Sequence, residues 1–337
     1  MKFDKPVLAV ALFSLFAGTT PATAAGRDKL LVVVSRAENN VSLYKAVGPS
    51  LTLVKSLPVG KTPREVCLSP DGKRAYVAAQ EGNSVTVVDL DAHSVVATLA
   101  NPELGGADGC GVSPDGKKLY VVSTKRDSVA VFSTSDHKLI KDVKLPLSVP
   151  RRVAFTPDAK QLYVGSNKTP EIAILDTATD SVVKTFKTGN ESRGGLAFTA
   201  DGKTFFVGNV EDDTVAWYDT TTHQVIKTMG VPLSPQRIEI SKDGKFAYVL
   251  TRMGGQEGGE TKGSPVLFAM PITDKHDASR FVRVGQAPWG LAVSDDGGHL
   301  YVSSNADSTI TVIDGHTLKV LATVPVNKDP QAVAFRP

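Results

Sequence analysis

Cysteine is nearly absent from this 337-residue chain; there are two, Cys67 and Cys110. They form no CxxC pair, so dithiol redox chemistry and a cysteine-pair metal site are excluded. No Gly-rich phosphate loop, nucleophile elbow or zinc-ligand spacing occurs either. After the first two dozen residues no long hydrophobic run recurs, which excludes a second helical membrane span. Basic residues are not gathered into a block, and the formal net charge is only +3. That balance neither demands a nucleic-acid partner nor excludes a small anion. The chain also lacks an amphipathic helical window, so its apolar residues must be buried on strands.

What is present is a repeat. A Ser/Thr-x-Asp-Gly turn recurs at Ser69, Ser113, Thr156 (Thr-Pro-Asp-Ala), Thr199, Ser241 and Ser294, with spacings of 44, 43, 43, 42 and 53 residues. A fixed period in this range signals stacked supersecondary units. Within each unit the apolar pattern alternates: Ala75-Tyr-Val-Ala-Ala, then Ser84-Val-Thr-Val-Val-Asp, then Ser94-Val-Val-Ala-Thr-Leu. Alternating runs rich in Val, Tyr and Thr between Gly, Asp, Asn and Pro are antiparallel strands joined by hairpins. Four strands per unit make one blade of a β-propeller.

Six turns give six inner strands, and Asp329-Pro-Gln-Ala-Val-Ala-Phe-Arg supplies a seventh with nothing after it. Leu30-Leu-Val-Val-Val-Ser, Asn40-Val-Ser-Leu-Tyr and Leu51-Thr-Leu-Val-Lys-Ser provide the three strands it needs. The expectation is an all-β, seven-bladed propeller with one blade shared by the N- and C-termini, over residues 25–337 as a single domain. Such closure removes the open sheet edge.

The first 24 residues read as a signal peptide. A short basic segment precedes an apolar run from Pro6 to Gly18, and Ala22-Thr-Ala24 is a small-residue cleavage site. The mature chain is expected to begin at Ala25 and to be periplasmic or secreted, with no transmembrane segment after cleavage. In such an oxidising compartment a disulfide is possible. Cys67 stands two residues before its turn Ser and Cys110 three before, so the side chains point either toward each other across a blade interface or directly away. A bridge and two buried small hydrophobes are both compatible with that spacing.

Tyr76-Val-Ala-Ala-Gln-Glu-Gly-Asn-Ser-Val-Thr-Val-Val-Asp resembles the YVTN-type propeller repeat, as do Tyr163-Val-Gly-Ser-Asn and Tyr301-Val-Ser-Ser-Asn. The resemblance spans the mature chain and points to the periplasmic, YncE-like members. Families of this kind include proteins without assigned activity, partners of redox or transport systems, nucleic-acid binders and, more distantly, lactonases. Fold does not choose among them.

Histidine offers no chemistry by position. His93, His137, His223 and His316 share nearly one column, in the turn between third and fourth strands, and His276 lies in the corresponding loop. That turn is expected at the outer, solvent-exposed end of the blade. His299 precedes a second strand. None falls in the channel column, so no metal or His base is expected, and no cofactor is implied. The recurrent Asp71, Asp115, Asp158, Asp201, Asp243 and Asp296 read as turn formers bonding local backbone.

The informative column begins each inner strand, five and four residues before the turn Ser/Thr. It reads Arg64-Glu65, Asp108-Gly109, Arg151-Arg152, Gly194-Gly195, Gln236-Arg237, Trp289-Gly290 and Gln331-Ala332. Arg193 stands one place earlier in its repeat. Inner strands line the axial channel, so Arg64, Arg151, Arg152, Arg193 and Arg237 are expected to ring one mouth, with Trp289 beside them. Arginine suits bidentate contact with carboxylate or phosphate, and Trp offers a stacking face. The alternative is that Glu65 and Asp108 simply pair with these arginines. The one long insertion, Arg252 to Ser264, is Gly-rich and emerges on the same face; it reads as a flap or as loop drift.

These features favour an exported, non-enzymatic binding or scaffold protein. Its ligand or partner, a small anion or a protein, meets the arginine-bearing face. The alternative is a lactonase-like enzyme using channel arginine with Glu65, Asp108 or Glu239. A further alternative is single-stranded nucleic-acid binding, for which only Trp289 supplies the aromatic element.

Overall fold

The computed structural model describes residues 27–189, 194–252, 265–272 and 279–337, and the backbone of 256–257 and 260–261. The leader, Arg193, His276 and most of the 252–264 insertion lie outside the described residues.

Seven four-stranded antiparallel sheets surround one axis. Their innermost strands are Pro63–Leu68, Ala107–Val112, Pro150–Phe155, Leu196–Phe198, Pro235–Ile240, Pro288–Val293 and Pro330–Arg336, numbered below as blades 1 to 7. In blade 7 the C-terminal strand pairs with Leu30–Ser35, in the register Leu30↔Arg336 and Val33↔Val333, and two more N-terminal strands complete the sheet. The terminal closure expected from the strand count is present. The single short helical element among the described residues is a turn at Pro102–Leu104.

The recurring turn shows why its residues are those four. Each Ser or Thr hydroxyl donates to the Asp carboxylate two residues on, at 2.6–2.7 Å in all six copies. The same hydroxyl accepts the backbone N–H five residues on, as from Arg74 at 2.9 Å. The fourth position is left-handed, with φ between 64° and 75° at Gly72, Gly116, Ala159, Gly202, Gly244 and Gly297. Glycine meets that demand without steric cost.

Packing occurs between blades. Seven apolar clusters each combine side chains of two neighbouring sheets, such as Val85, Val87 and Leu99 of blade 1 with Leu119, Val121 and Phe132 of blade 2. Alternation along each strand makes this work, because successive side chains serve the interfaces on either side. Cys67 and Cys110 face each other across the interface of blades 1 and 2 and form a disulfide, with a Cα–Cα distance of 5.9 Å. Of the two geometries that the spacing allows, the facing one is adopted.

The histidine column has a conformational origin. His93, His137 and His223 are left-handed, with φ of 50°, 59° and 61°, and Asp180 and Leu318 take the equivalent places in blades 3 and 6. Asn, Asp and His tolerate this region better than most residues. His316 therefore sits two residues before the column rather than in it. The expectation of full exposure also fails for His93, His137 and His223, which are half-buried, His223 against the preceding blade. Its Nε2 lies 3.1 Å from the Tyr163 hydroxyl and its Nδ1 2.8 Å from Lys184 Nζ.

Candidate functional site

Each inner strand starts with a bulge, and the bulge makes the site. In blade 3, Pro150 pairs with Ser166 and Arg152 with Gly165, so Arg151 is an extra residue opposite no partner. Register shifts recur between Pro63 and Glu65, Ala107 and Cys110, Pro235 and Arg237, and Pro288 and Leu291. Strict alternation would send Arg151 and Arg152 to opposite faces; a bulge relaxes that rule and re-aims the side chain. Both consequently reach the axial channel. Gly109 lets the neighbouring strand close in, since a Cβ there would strike the Arg151 carbonyl.

The two columns form two layers. The bulged residues Arg64, Arg151, Gln236, Trp289 and Gln331 line a mouth cavity of about 470 Å³. One residue further, Glu65, Arg152 and Arg237 form a neck, below which a channel chamber of about 320 Å³ continues to Glu239 and Lys242. In the neck both Arg152 Nη1 and Arg237 Nη2 donate to one oxygen of Glu65, at 2.7 and 2.6 Å. Burial opposes ionisation of Glu65, but Arg237 and Arg152 outweigh it and hold the carboxyl below its usual range.

The mouth is less well compensated. Arg151 Nε lies 3.6 Å and Arg64 Nε 4.0 Å from the buried Asp108 carboxylate, both too long for hydrogen bonds. The guanidinium carbons of Arg151, Arg64, Arg252 and Arg152 lie 4.7, 4.9, 5.5 and 5.7 Å from the Trp289 ring centroid. Trp289, only 5% exposed, thus serves as a platform for arginines through cation–π attraction. Of the seven buried guanidinium nitrogens without a hydrogen-bond partner among the described residues, five gather in the mouth and neck: Nε of Arg64 and Nε and Nη2 of both Arg151 and Arg152; the other two are Nε of Arg126 and Arg336. Burial works against the charged forms of Arg64, Arg151, Arg252 and, most strongly, Arg152; neighbouring arginines add to the effect while Asp108 or Glu65 oppose it for the first, second and fourth. Arginine does not deprotonate in response. The cost is carried as uncompensated buried charge.

Arg64, Arg151, Arg152, Arg237 and Trp289 are thus brought together, on two levels rather than one ring. Two members were missed by reading inner strands alone. Arg36 and Arg252 follow the second strands of blades 7 and 5 and also line the mouth. In an antiparallel pair the end of the second strand lies beside the start of the first. Comparing that second column (Arg36, Gln80, Thr124, Asn167, Val210, Arg252, Asn305) exposes both arginines as departures.

Glu239 projects exposed into the channel lumen, where the surrounding channel wall keeps it from bulk solvent. That enclosure pushes its carboxyl up to about 7, with Arg237 and Lys242 opposing in part. The folded state therefore holds this proton more tightly than the unfolded chain does. Stability contributed at low pH is lost as pH rises from about 4.5 toward 7. Glu239→Gln should remove that slope: melting temperatures across pH 4.5–8 fall for the native protein relative to the variant. Parallel profiles would show that the carboxyl titrates normally.

No group of three or more His, Cys, Asp or Glu side chains among the described residues is placed to hold a metal ion. Nor is any helix there long and apolar enough to cross a membrane.

Residues 34–168 match a family model described as the SMP-30/gluconolactonase/LRE-like region, about two-fifths of the chain. No curated protein matches the sequence. Among solved structures, a chain of hydrazine synthase from Kuenenia stuttgartiensis superposes with a TM-score of 0.72 at 22% identity, covering 82% of this chain and 90% of that one. A functionally unknown protein from Desulfotomaculum acetoxidans gives 0.72 at 16%, with 91% and 98% covered. A putative 6-phosphogluconolactonase from Bacteroides fragilis gives 0.74 at 16%, with 94% and 99% covered. At these identities the structural likeness establishes the fold alone. The YVTN-type kinship remains a resemblance of repeats, and what the comparisons support is the propeller fold, whose seven blades are seen in this chain's own sheets.

Proposed function

We propose that this protein is an exported, non-enzymatic binding propeller whose ligand, or the contacting group of whose protein partner, is an anion seated in the arginine mouth. The observation that carries this reading is the set of buried guanidinium nitrogens left without hydrogen bonds around Trp289. Buried polar groups in folded proteins are nearly always satisfied, and each exception calls for a cause. An arrangement complementary to a bound anion supplies one, because Arg presents paired donors that fit carboxylate and phosphate. Low-dielectric walls strengthen the field at the mouth well beyond what a net charge of +3 suggests.

The test is calorimetric titration with carboxylate, phosphate and oligonucleotide ligands. Arg151→Ala combined with Arg237→Ala is expected to weaken anion binding at least a hundredfold, about 3 kcal/mol for two charge-assisted contacts. Unchanged affinity in the folded double variant would reduce the cluster to a solvated rim.

A lactonase-like reading is favoured by two observations, the partial family match and the carboxyl of Glu239 poised near neutral pH, where a general acid or base works best. Turnover on a panel of lactones that is lost in Glu239→Gln would establish it. Glu65 is a weaker candidate, because its charge is already engaged by two arginines.

A further inference from the structure

Resting on the anion-binding reading, the geometry points to the class of ligand: a compact oxyanion carrying at least two negative charges. Among the described residues of mouth and neck, the guanidinium groups of Arg36, Arg64, Arg151, Arg152, Arg237 and Arg252 face only three carboxylates. Arg36 is tied to Asp329 at 2.6 Å, and Arg152 and Arg237 share Glu65. Asp108 stands between Arg64 and Arg151 without hydrogen-bonding either Nε. Arg252 has no carboxylate partner among the described residues. A monoanion leaves an excess of positive charge enclosed by protein, where the effective dielectric is low and repulsion between guanidinium groups is strong. A dianion cuts that excess of six guanidinium groups over three carboxylates to a single charge, and a trianion removes it.

The second observation is which nitrogens are unpartnered. On both Arg151 and Arg152 they are Nε and Nη2, the pair that forms the side edge of the guanidinium fork. That edge matches two oxygens of a single carboxylate or phosphate. Arg152 is itself only 5% exposed, so its edge cannot be satisfied by bulk water. Arg151 lines the mouth and Arg152 the neck below it, both beside the Trp289 ring, so a ligand that reaches from mouth to neck meets the two edges with two pairs of oxygens. Size narrows the class further. The mouth holds about 470 Å³, within the usual range for small-molecule sites, and its remaining lining is mainly amide and hydroxyl side chains. Polycarboxylates and phosphate esters or anhydrides share this chemistry.

The experiment is isothermal titration of the mature protein at constant ionic strength with citrate, pyrophosphate, acetate and a thymidine oligonucleotide, with folding checked by thermal melts. Citrate or pyrophosphate is expected to bind at least tenfold more tightly than acetate, and whichever of the two is tighter separates carboxylate from phosphate ligands. That preference should shrink severalfold in Arg151→Gln. Arg252→Gln, at the half-buried edge of the cluster, should shrink it too if the first variant does not fold. Acetate binding within threefold of both polyanions would overturn the ligand class and leave the anion-binding reading intact. An absence of binding by every small anion would overturn both. Preference for the oligonucleotide over citrate and pyrophosphate would overturn the compact class in favour of a nucleic acid.

Discussion

Deleting residues 331–337 is expected to abolish cooperative folding rather than lower a melting temperature by a few degrees. The strand Pro330–Arg336 is the inner member of blade 7 and meets both neighbours: Ala332 packs in the cluster shared with blade 1, and Val333 in the cluster shared with blade 6. Gln331 and Arg336 are almost wholly buried. Arg336 donates from Nη1 to Asp91 and from Nη2 to the Asp28 carbonyl, each at 2.6 Å, fastening the last strand to blade 1 and to the start of the chain. Removing the strand exposes the full edge of Leu30–Ser35, all six residues of which are otherwise buried. Lost apolar burial and the cavity left behind together amount to about 5 kcal/mol or more. That approaches the whole net stability of a typical domain. Arg336→Ala should show the same weakness in milder form, about 2 kcal/mol from the lost charge-assisted bonds. A truncated protein with an unchanged melting curve would mean that the ring does not depend on terminal closure.

The second large effect concerns the disulfide. Cys67 and Cys110 close a loop with a sequence separation of 43, and the chain-entropy estimate for such a loop is about 4 kcal/mol. Replacing both cysteines by alanine should lower the melting temperature by roughly 6 °C, given the unfolding entropy of a chain this long. The bridge joins the inner strands of blades 1 and 2, and Arg64, Glu65 and Asp108 precede its two ends. The reduced protein is therefore expected to lose anion affinity along with stability. Equal melting curves for oxidised and reduced protein would contradict this.

The fold was legible because its rules are local. Each Asp-Gly turn announces itself by a hydroxyl, a carboxylate and a left-handed residue, and a repeated period turns six such signals into a count of blades. The unmatched final strand then fixed how the ring closes. The site was legible only to the level of columns. Sequence places Arg151 and Arg152 at the start of an inner strand, but only the bulge explains how two consecutive side chains both reach the channel. Arg36 and Arg252 escaped because they belong to second strands, beside the mouth only through antiparallel pairing. Trp289 was expected as a stacking face for a ligand; that its ring also gathers guanidinium groups is set by three-dimensional neighbours and invisible in one column. The outer-turn histidines recur for a reason of backbone conformation, which composition alone does not show. Arg193 lies outside the described residues, so its place in the cluster rests on its column.

The most direct test of the anion-binding account is a crystal grown with selenate, located by the anomalous signal of selenium. A selenate is expected in the mouth, within hydrogen-bond distance of Arg64 or Arg151, and is expected to be lost in Arg151→Gln crystals. Selenate found only on surface lysines, with none in the mouth, would contradict it.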